Sequence, residues 1–372
     1  MKWLQNGNLA KLVAFFVIAV VITCTVSFAA NGWQSFINNE PDSDKITTEN
    51  NSENNKVDEN NDGKTEVDVP VIQPNQKYYH AITGLETDAA NLSSKNICIC
   101  LESNDPLYGI SSSYLTIEFP TEYGTTRFLC FTDEAKTLGK LGSIAPSRGY
   151  ISNLAAYFGG ILLSYGFDDT FEYEHTTPTG GLDFKATSGY CYTEYNSFVY
   201  TNGDLVNAFM NNSGVNQAVN QANSLPYTFS PIGERVHLGG GSAQSISISF
   251  SDSCDTVMNY STADNKYVMH KNTSQKKDLL NDKELVYDNV FVLYANTTTY
   301  ETESDTQLIV DTFSSGTGIY ASGGEYIEIT WQRDSSGNLL FFDTNGQKLT
   351  VNRGTSYIAY AKASLKSSVQ IS

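Results

Sequence analysis

The chain lacks most of the signatures on which enzymatic chemistry is usually recognised. It contains no G-x-S-x-G, no H-E-x-x-H, no Walker loop and no dinucleotide fingerprint, which removes the readiest hydrolase, metalloprotease and nucleotide-binding chemistries. Histidine is scarce: His80, His175, His237 and His270 are the full set, and none is spaced to pair with a serine or cysteine. Ser274-Gln275-Lys276-Lys277 spells S-x-x-K, but in a polar stretch with no helix to present it. No C-x-x-C pair exists among the six cysteines, so a zinc site has no support. The sequence calls for no cofactor, no metal and no catalytic residue. Basic residues are few as well, 23 Lys and Arg against 41 Asp and Glu, for a net charge of -18. A chain so acidic is repelled by nucleic acid and by anionic lipid, so no nucleic-acid partner is expected.

What is present begins with placement. Lys2 and Lys11 precede an uncharged apolar run from Leu12 to Ala30, LVAFFVIAVVITCTVSFAA. It is about long enough to cross a bilayer as a helix, and the cations on its N-terminal side put that end in the cytoplasm. Residues 1–30 are therefore expected to be a membrane anchor or signal segment, with the remainder outside the cytoplasm at the cell membrane. Three fates fit: an uncleaved anchor, cleavage near Ser27-Phe28-Ala29, or lipidation at Cys24, where Thr23 is larger than the residue usual before a lipidated cysteine.

Residues 31–77 are dominated by Asn, Glu, Asp, Ser and Thr. Between Glu40 and Pro70 ten acids and three lysines leave a net of -7. Such a segment cannot bury enough apolar surface to offset its ordering entropy, and it reads as a disordered tether spanning roughly a few tens of Å. Asp58, Asn60, Asp62 and Gly63 open a calcium-loop pattern, but its twelfth position is Val69 rather than a bidentate acid, and a solvated acidic tether is the better account.

Order resumes near Tyr78. Apolar, β-rich runs at Asn96–Leu101, Tyr114–Phe119, Thr126–Thr132 and Ile161–Tyr165, with helix over Ser147–Phe158 and from Asp204 toward Ala222, predict an α+β or α/β N-terminal domain, residues 78–238. A glycine-rich hinge at Gly239-Gly240-Gly241-Ser242 leads into strict alternation, Ile246, Ile248 and Phe250 against Ser245, Ser247 and Ser249. Further strands at Val257–Tyr260, Lys266–His270, Asn289–Ala295, Gln307–Phe313, Tyr326–Arg333, Leu339–Asp343 and Tyr357–Ala361, with an Asn345-Gly346 turn, predict an antiparallel all-β C-terminal domain, residues 239–363, before a short tail, 364–372. Cys98 and Cys100 share one face of a strand and Cys130 lies in another. They read either as a bridge between strands outside the cytoplasm or as small buried apolar groups, and the odd cysteine count beyond the apolar segment favours the second.

The most specific block is Glu118-Phe-Pro-Thr-Glu122-Tyr-Gly124-Thr-Thr126-Arg127, followed by Leu141-Gly142-Ser-Ile-Ala145-Pro-Ser147-Arg148-Gly-Tyr150. With Ile82-Thr-Gly-Leu-Glu-Thr-Asp88 and the C-terminal runs LVYDNVFVLYA, Gly316-Thr-Gly318, Thr330-Trp331 and LLFFDTNGQKLTVNRGTSYIAYA, it resembles the YerB-like lipoprotein family, domain-of-unknown-function family 3048. The resemblance, from about His80 to Ala361, implies an N-terminal α/β domain coupled to a smaller β-rich one. The chain departs from the family pattern by having Ala145 where a first arginine stands, Ser164 in place of a histidine, and Gly166-Phe167-Asp168 in place of a Gly-Gly-Ser tail. A further family stretch survives only as Tyr195-Asn196-Ser-Phe-Val-Tyr200-Thr201.

The candidate binding residues are Glu118, Glu122, Arg127, Arg148, Tyr150, Asn196 and Tyr200. Glu118 and Arg127 are expected to meet across a hairpin, and Arg148 to sit at a helix start whose N–H groups attract anions. The two arginines and the tyrosine hydroxyls would then hold a carboxylate or phosphate, with Glu118 and Glu122 orienting the guanidinium groups. The competing account makes Glu118–Arg127 a fold-holding ion pair and Tyr200 core. The functional expectation is a non-enzymatic envelope binding or scaffold protein that contacts a cell-wall polymer or an envelope protein partner. The alternative is a carboxylate-based envelope hydrolase acting through Glu118 or Glu122.

Overall fold

The computed structural model describes residues 77–92, 95–166, 182–185, 189–195, 197–215, 217, 225–301 and 306–372. These belong to one compact unit, Asp68–Ser372. The apolar run at 12–30, the acidic tether, the calcium-like loop and Asn196 lie outside the described residues. Among the described residues no helix is long and apolar enough to cross a membrane.

The fold is predominantly β-sheet. After two short strands, Tyr78–Tyr79 and Glu86–Thr87, come the first long ones, β1 (Asn96–Glu102), β2 (Leu115–Pro120) and β3 (Thr126–Thr132), all apolar runs with mostly buried side chains. Helix α1 (Gly149–Tyr157) buries Ile151, Leu154 and Ala155 at helical spacing and stops at Gly159, whose φ of 69° suits only glycine well. Strand β4 (Gly160–Ser164) follows, then β5 (Phe198–Thr201) and α2 (Gly203–Asn212), capped by Asn202 accepting from the Leu205 amide. The second half supplies β6 (Gly241–Ser242), β7 (Ser245–Ser251), β8 (Cys254–Ser261), β9 (Lys266–Lys271), β10 (Asn289–Ala295), β11 (Ser315–Ser322), β12 (Glu325–Arg333), β13 (Leu339–Phe342) and β14 (Ser356–Lys362).

Two sheets dominate. An eleven-stranded sheet runs β6-β12-β11-β10-β14-β2-β3-β1-β4 and on to the short strand Leu182–Asp183, with β13 beside β12. A six-stranded sheet centres on β9-β8-β7. One face of the large sheet packs Ile99, Phe128 and Val292 against Ile246, Ile248 and Met258 of the small sheet. Its other face packs Ile117, Phe119 and Leu129 against Ile151 and Leu154 of α1. Each large apolar side chain fully buried there contributes roughly 1.5–3 kcal/mol.

Residues from both sequence-defined parts thus share one sheet. Strand β14 lies between β10 and β2 and is parallel to both. An N-terminal α/β domain does not stand apart, and the C-terminal strands are not wholly antiparallel. The glycine-rich stretch is no free hinge: Gly241 pairs with Tyr326, and a Cβ on Gly240 would collide with the Tyr326 carbonyl. Cys98, Cys100 and Cys130 are free and buried. Cys130 stands opposite Ile99 in the β1–β3 register, which turns its side chain to the face away from Cys98 and Cys100. The interstrand bridge is therefore absent.

Candidate functional site

At one end of the large sheet, three chain segments bring Glu102, Glu122, Arg127, Arg148 and Tyr150 together on the α1 side. Arg127 projects from β3 directly opposite Glu102, the last residue of β1, and its Nε donates to Glu102 Oε2 at 3.2 Å. Glu122 comes from the turn between β2 and β3. That turn is pinned by the Thr121 and Thr125 hydroxyls, 2.7 Å apart, and passes through left-handed conformations at Tyr123 and Gly124. The result sends Tyr123 into solvent and folds Glu122 inward, its side chain 10% exposed.

Glu122 Oε1 is shared by two guanidinium groups. Arg148 Nη2 donates to it, and Arg127 Nη2 lies 3.8 Å away. Arg148 is the residue before the first turn of α1, and Tyr150 lies inside that turn, buried against Phe119 with ring centroids 5.5 Å apart. Burial raises the Tyr150 pKa against the pull of Arg127 and Arg148, so the phenol stays a neutral donor. Burial also raises Glu102, which Arg127 opposes, and pushes the Cys100 thiol up to about 12, so this cysteine is no nucleophile.

Formal charge balances, two carboxylates against two guanidinium groups. Hydrogen bonding does not. Arg127 Nη1, Glu122 Oε2 and the Tyr150 hydroxyl are buried without a partner. Buried polar groups are paired in the great majority of cases, and each orphan costs about 1–3 kcal/mol.

The other sequence-selected residues go elsewhere. Arg127 is opposite Phe119, not Glu118, so Glu118 faces the small sheet and the expected Glu118–Arg127 contact does not form. The fully buried Glu118 carboxylate accepts from Lys271 Nζ and Thr126 Oγ1 at 2.5 Å each, from the Tyr357 hydroxyl at 2.5 Å and from Thr256 Oγ1 at 2.8 Å. Tyr200 sits in a third cluster, where Lys140 Nζ lies 4.0 Å from the rings of both Tyr200 and Tyr108 and reaches Glu194 at 2.6 Å. Glu102 and Lys271 escaped the sequence reading because only strand register pairs them with their partners. Glu102, closing an apolar strand, carried the one legible signal.

Residues 246–358 match the family described as a protein of unknown function (DUF3048), C-terminal domain. No curated protein matches the chain. The fold is similar to that of the YerB protein from Bacillus subtilis, with a TM-score of 0.68 and 18% sequence identity over 80% of this chain and 100% of that one. The domain match carries the sequence relationship, relating residues 246–358 to the DUF3048 C-terminal domain family, and the structural match carries the fold, which is YerB-like.

Proposed function

We propose that the chain is an envelope binding protein, held at the outer face of a membrane through residues 12–30, whose site at Glu122, Arg127, Arg148 and Tyr150 receives a polar group of a cell-wall component or membrane partner. The observation that carries this reading is the set of orphan polar atoms: two donors, Arg127 Nη1 and Tyr150 OH, and one acceptor, Glu122 Oε2. A charge-balanced site offering donors and an acceptor suits a neutral or zwitterionic group, such as an amide or a hydroxyl, better than a bare anion. The hydrolase alternative has less behind it. Glu118 and Glu122 occupy opposite faces of the sheet, and the Glu118 carboxylate already accepts from Lys271, Thr126, Thr256 and Tyr357. They do not form the converging carboxylate pair of glycoside hydrolysis.

The test is retention of the full chain on purified wall sacculi and in pull-downs from solubilised envelopes, beside Tyr150→Phe. That change deletes only an unbonded hydroxyl and leaves the fold intact. Loss of retention with an unchanged melting temperature supports the site. Equal retention by both proteins moves binding elsewhere, and no retention of either counts against the binding reading.

A further inference from the structure

Arg333 presents a different situation from the paired arginines of the candidate site. It lies two residues after Trp331 on β12, so the two side chains share a face. Its Nε donates to the Thr312 carbonyl at 3.1 Å and its Nη1 to the Gly337 carbonyl at 2.8 Å. The guanidinium stacks on Tyr157, 4.7 Å from the ring centre, and approaches Phe313 at 5.8 Å. Among the described residues it forms no ion pair. The two nearby carboxylates are engaged in their own turns, Asp311 by the Phe313 and Ser314 amides and Asp334 by the Ser336 and Asn338 amides. Arg333 Nη2 is buried without a partner, as are the Tyr360 hydroxyl, Trp331 Nε1 and Thr312 Oγ1.

A cation half removed from water with no carboxylate in ion-pair contact, only the solvent-exposed Asp334 acting on it from the next position, is an expensive arrangement. Here it is surrounded by further unfilled hydrogen-bonding groups and by aromatic faces. Trp331 meets Tyr360 edge-on, with centroids 5.9 Å apart. We propose that Arg333, Tyr360, Trp331 and Thr312 form a binding site for a carboxylate group, borne on a ligand whose ring or alkyl face lies against Tyr157 and Phe313. The guanidinium supplies the charge and a planar donor edge, while the indole N–H and the hydroxyls supply the remaining bonds. Phe313, 55% exposed, is the solvent-facing member of the group, while the unfilled donor atoms are buried. This site does not depend on the reading of the Arg127 cluster.

Trp331 lies inside the cluster and reports on it. The chain has three tryptophans, so replacing Trp3 and Trp33 by Phe in the full chain leaves Trp331 as the sole indole. Its emission is titrated with glucuronate and with N-acetylalanine, using glucose, alaninamide and inorganic phosphate as controls. A saturable change with either carboxylate and none with its neutral counterpart supports the site, and the stronger of the two tells a sugar acid from a peptide end. Arg333→Lys then weakens the response by about tenfold or more and Tyr360→Phe by several-fold, with melting temperatures retained. Absence of a saturable response to both carboxylates overturns the proposal. So does an equal response in Arg333→Lys, or a phosphate response stronger than both.

Discussion

Lys271 and Glu118 are 153 positions apart in the chain, yet the lysine Nζ lies 2.5 Å from Glu118 Oε1 between the two sheets. Both side chains are buried, and the lysine also donates to Thr126 and Thr256. Removing one partner strands a charge in a low-dielectric layer. Lys271→Met should therefore cost about 3–5 kcal/mol in urea unfolding, and adding Glu118→Gln should recover a good part of that loss because no charge is then left behind. Equal stabilities for the single and double variants would show that the pair itself holds little.

Gly316 is required by space rather than by turn conformation. A Cβ there would stand 2.7 Å from Trp331 Nε1 and collide with the Tyr294 carbonyl. Gly316→Ala should lower stability by about 1–3 kcal/mol, whereas Gly139→Ala, with nothing nearby, should stay within about 0.5 kcal/mol. Thermal melting of the two variants decides this.

The thiols should divide by burial. Among the described residues Cys98, Cys100, Cys130 and Cys254 are buried, and only Cys191 is half-exposed. Burial pushes Cys100 and Cys130 up to about 12 and raises Cys98 and Cys191 as well. With Cys24 changed to Ser, a thiol reagent at neutral pH should label Cys191 in the native chain and the other four only on unfolding. Native labelling of any buried thiol at the Cys191 rate would contradict the packing.

His80 gives a pH dependence of known sign. Its Nδ1 accepts from the Ile82 and Thr83 amides at 3.3 Å each, so this nitrogen carries no proton, and Nε2 faces Asp133 at 3.7 Å. Burial lowers its pKa, opposed by Asp133. The unfolded chain therefore binds the proton more readily. The His80 contribution is complete above the unfolded value of about 6.5 and is lost as pH falls toward the depressed folded value. Stability of the native chain should drop as pH falls below about 6.5, and His80→Gln should flatten that slope. A slope unchanged in the variant would assign it to other groups.

Local pattern made many strands legible. The alternation in Ser245–Ser251 placed Ile246, Ile248 and Phe250 in the core, and Thr126–Thr132 and Asn289–Ala295 coincide with the strands expected. Strand β11 carried no such signal, since Gly316 and Gly318 dilute its apolar content where neighbouring strands press close. Nothing in composition could tell which strands neighbour which. Insertion of β14 between β2 and β10 is a long-range choice, and it merged what read as two domains. The candidate site shows the same division. Glu122, Arg127, Arg148 and Tyr150 are close together, while a one-residue difference in register sends Glu118 to the other face.

The position of β14 also bears on how the molecule can be made. Synthesis runs from the N-terminus, so β2 and β10 are both complete before Ser356–Lys362 exists. Until that last strand arrives, each presents an open backbone edge, the kind of surface that invites pairing with another chain. The ribosome thus finishes the sheet with its middle. A truncation before Ser356 removes the strand that joins the two halves, and the contacts it closes are among the slowest to form because so much chain intervenes.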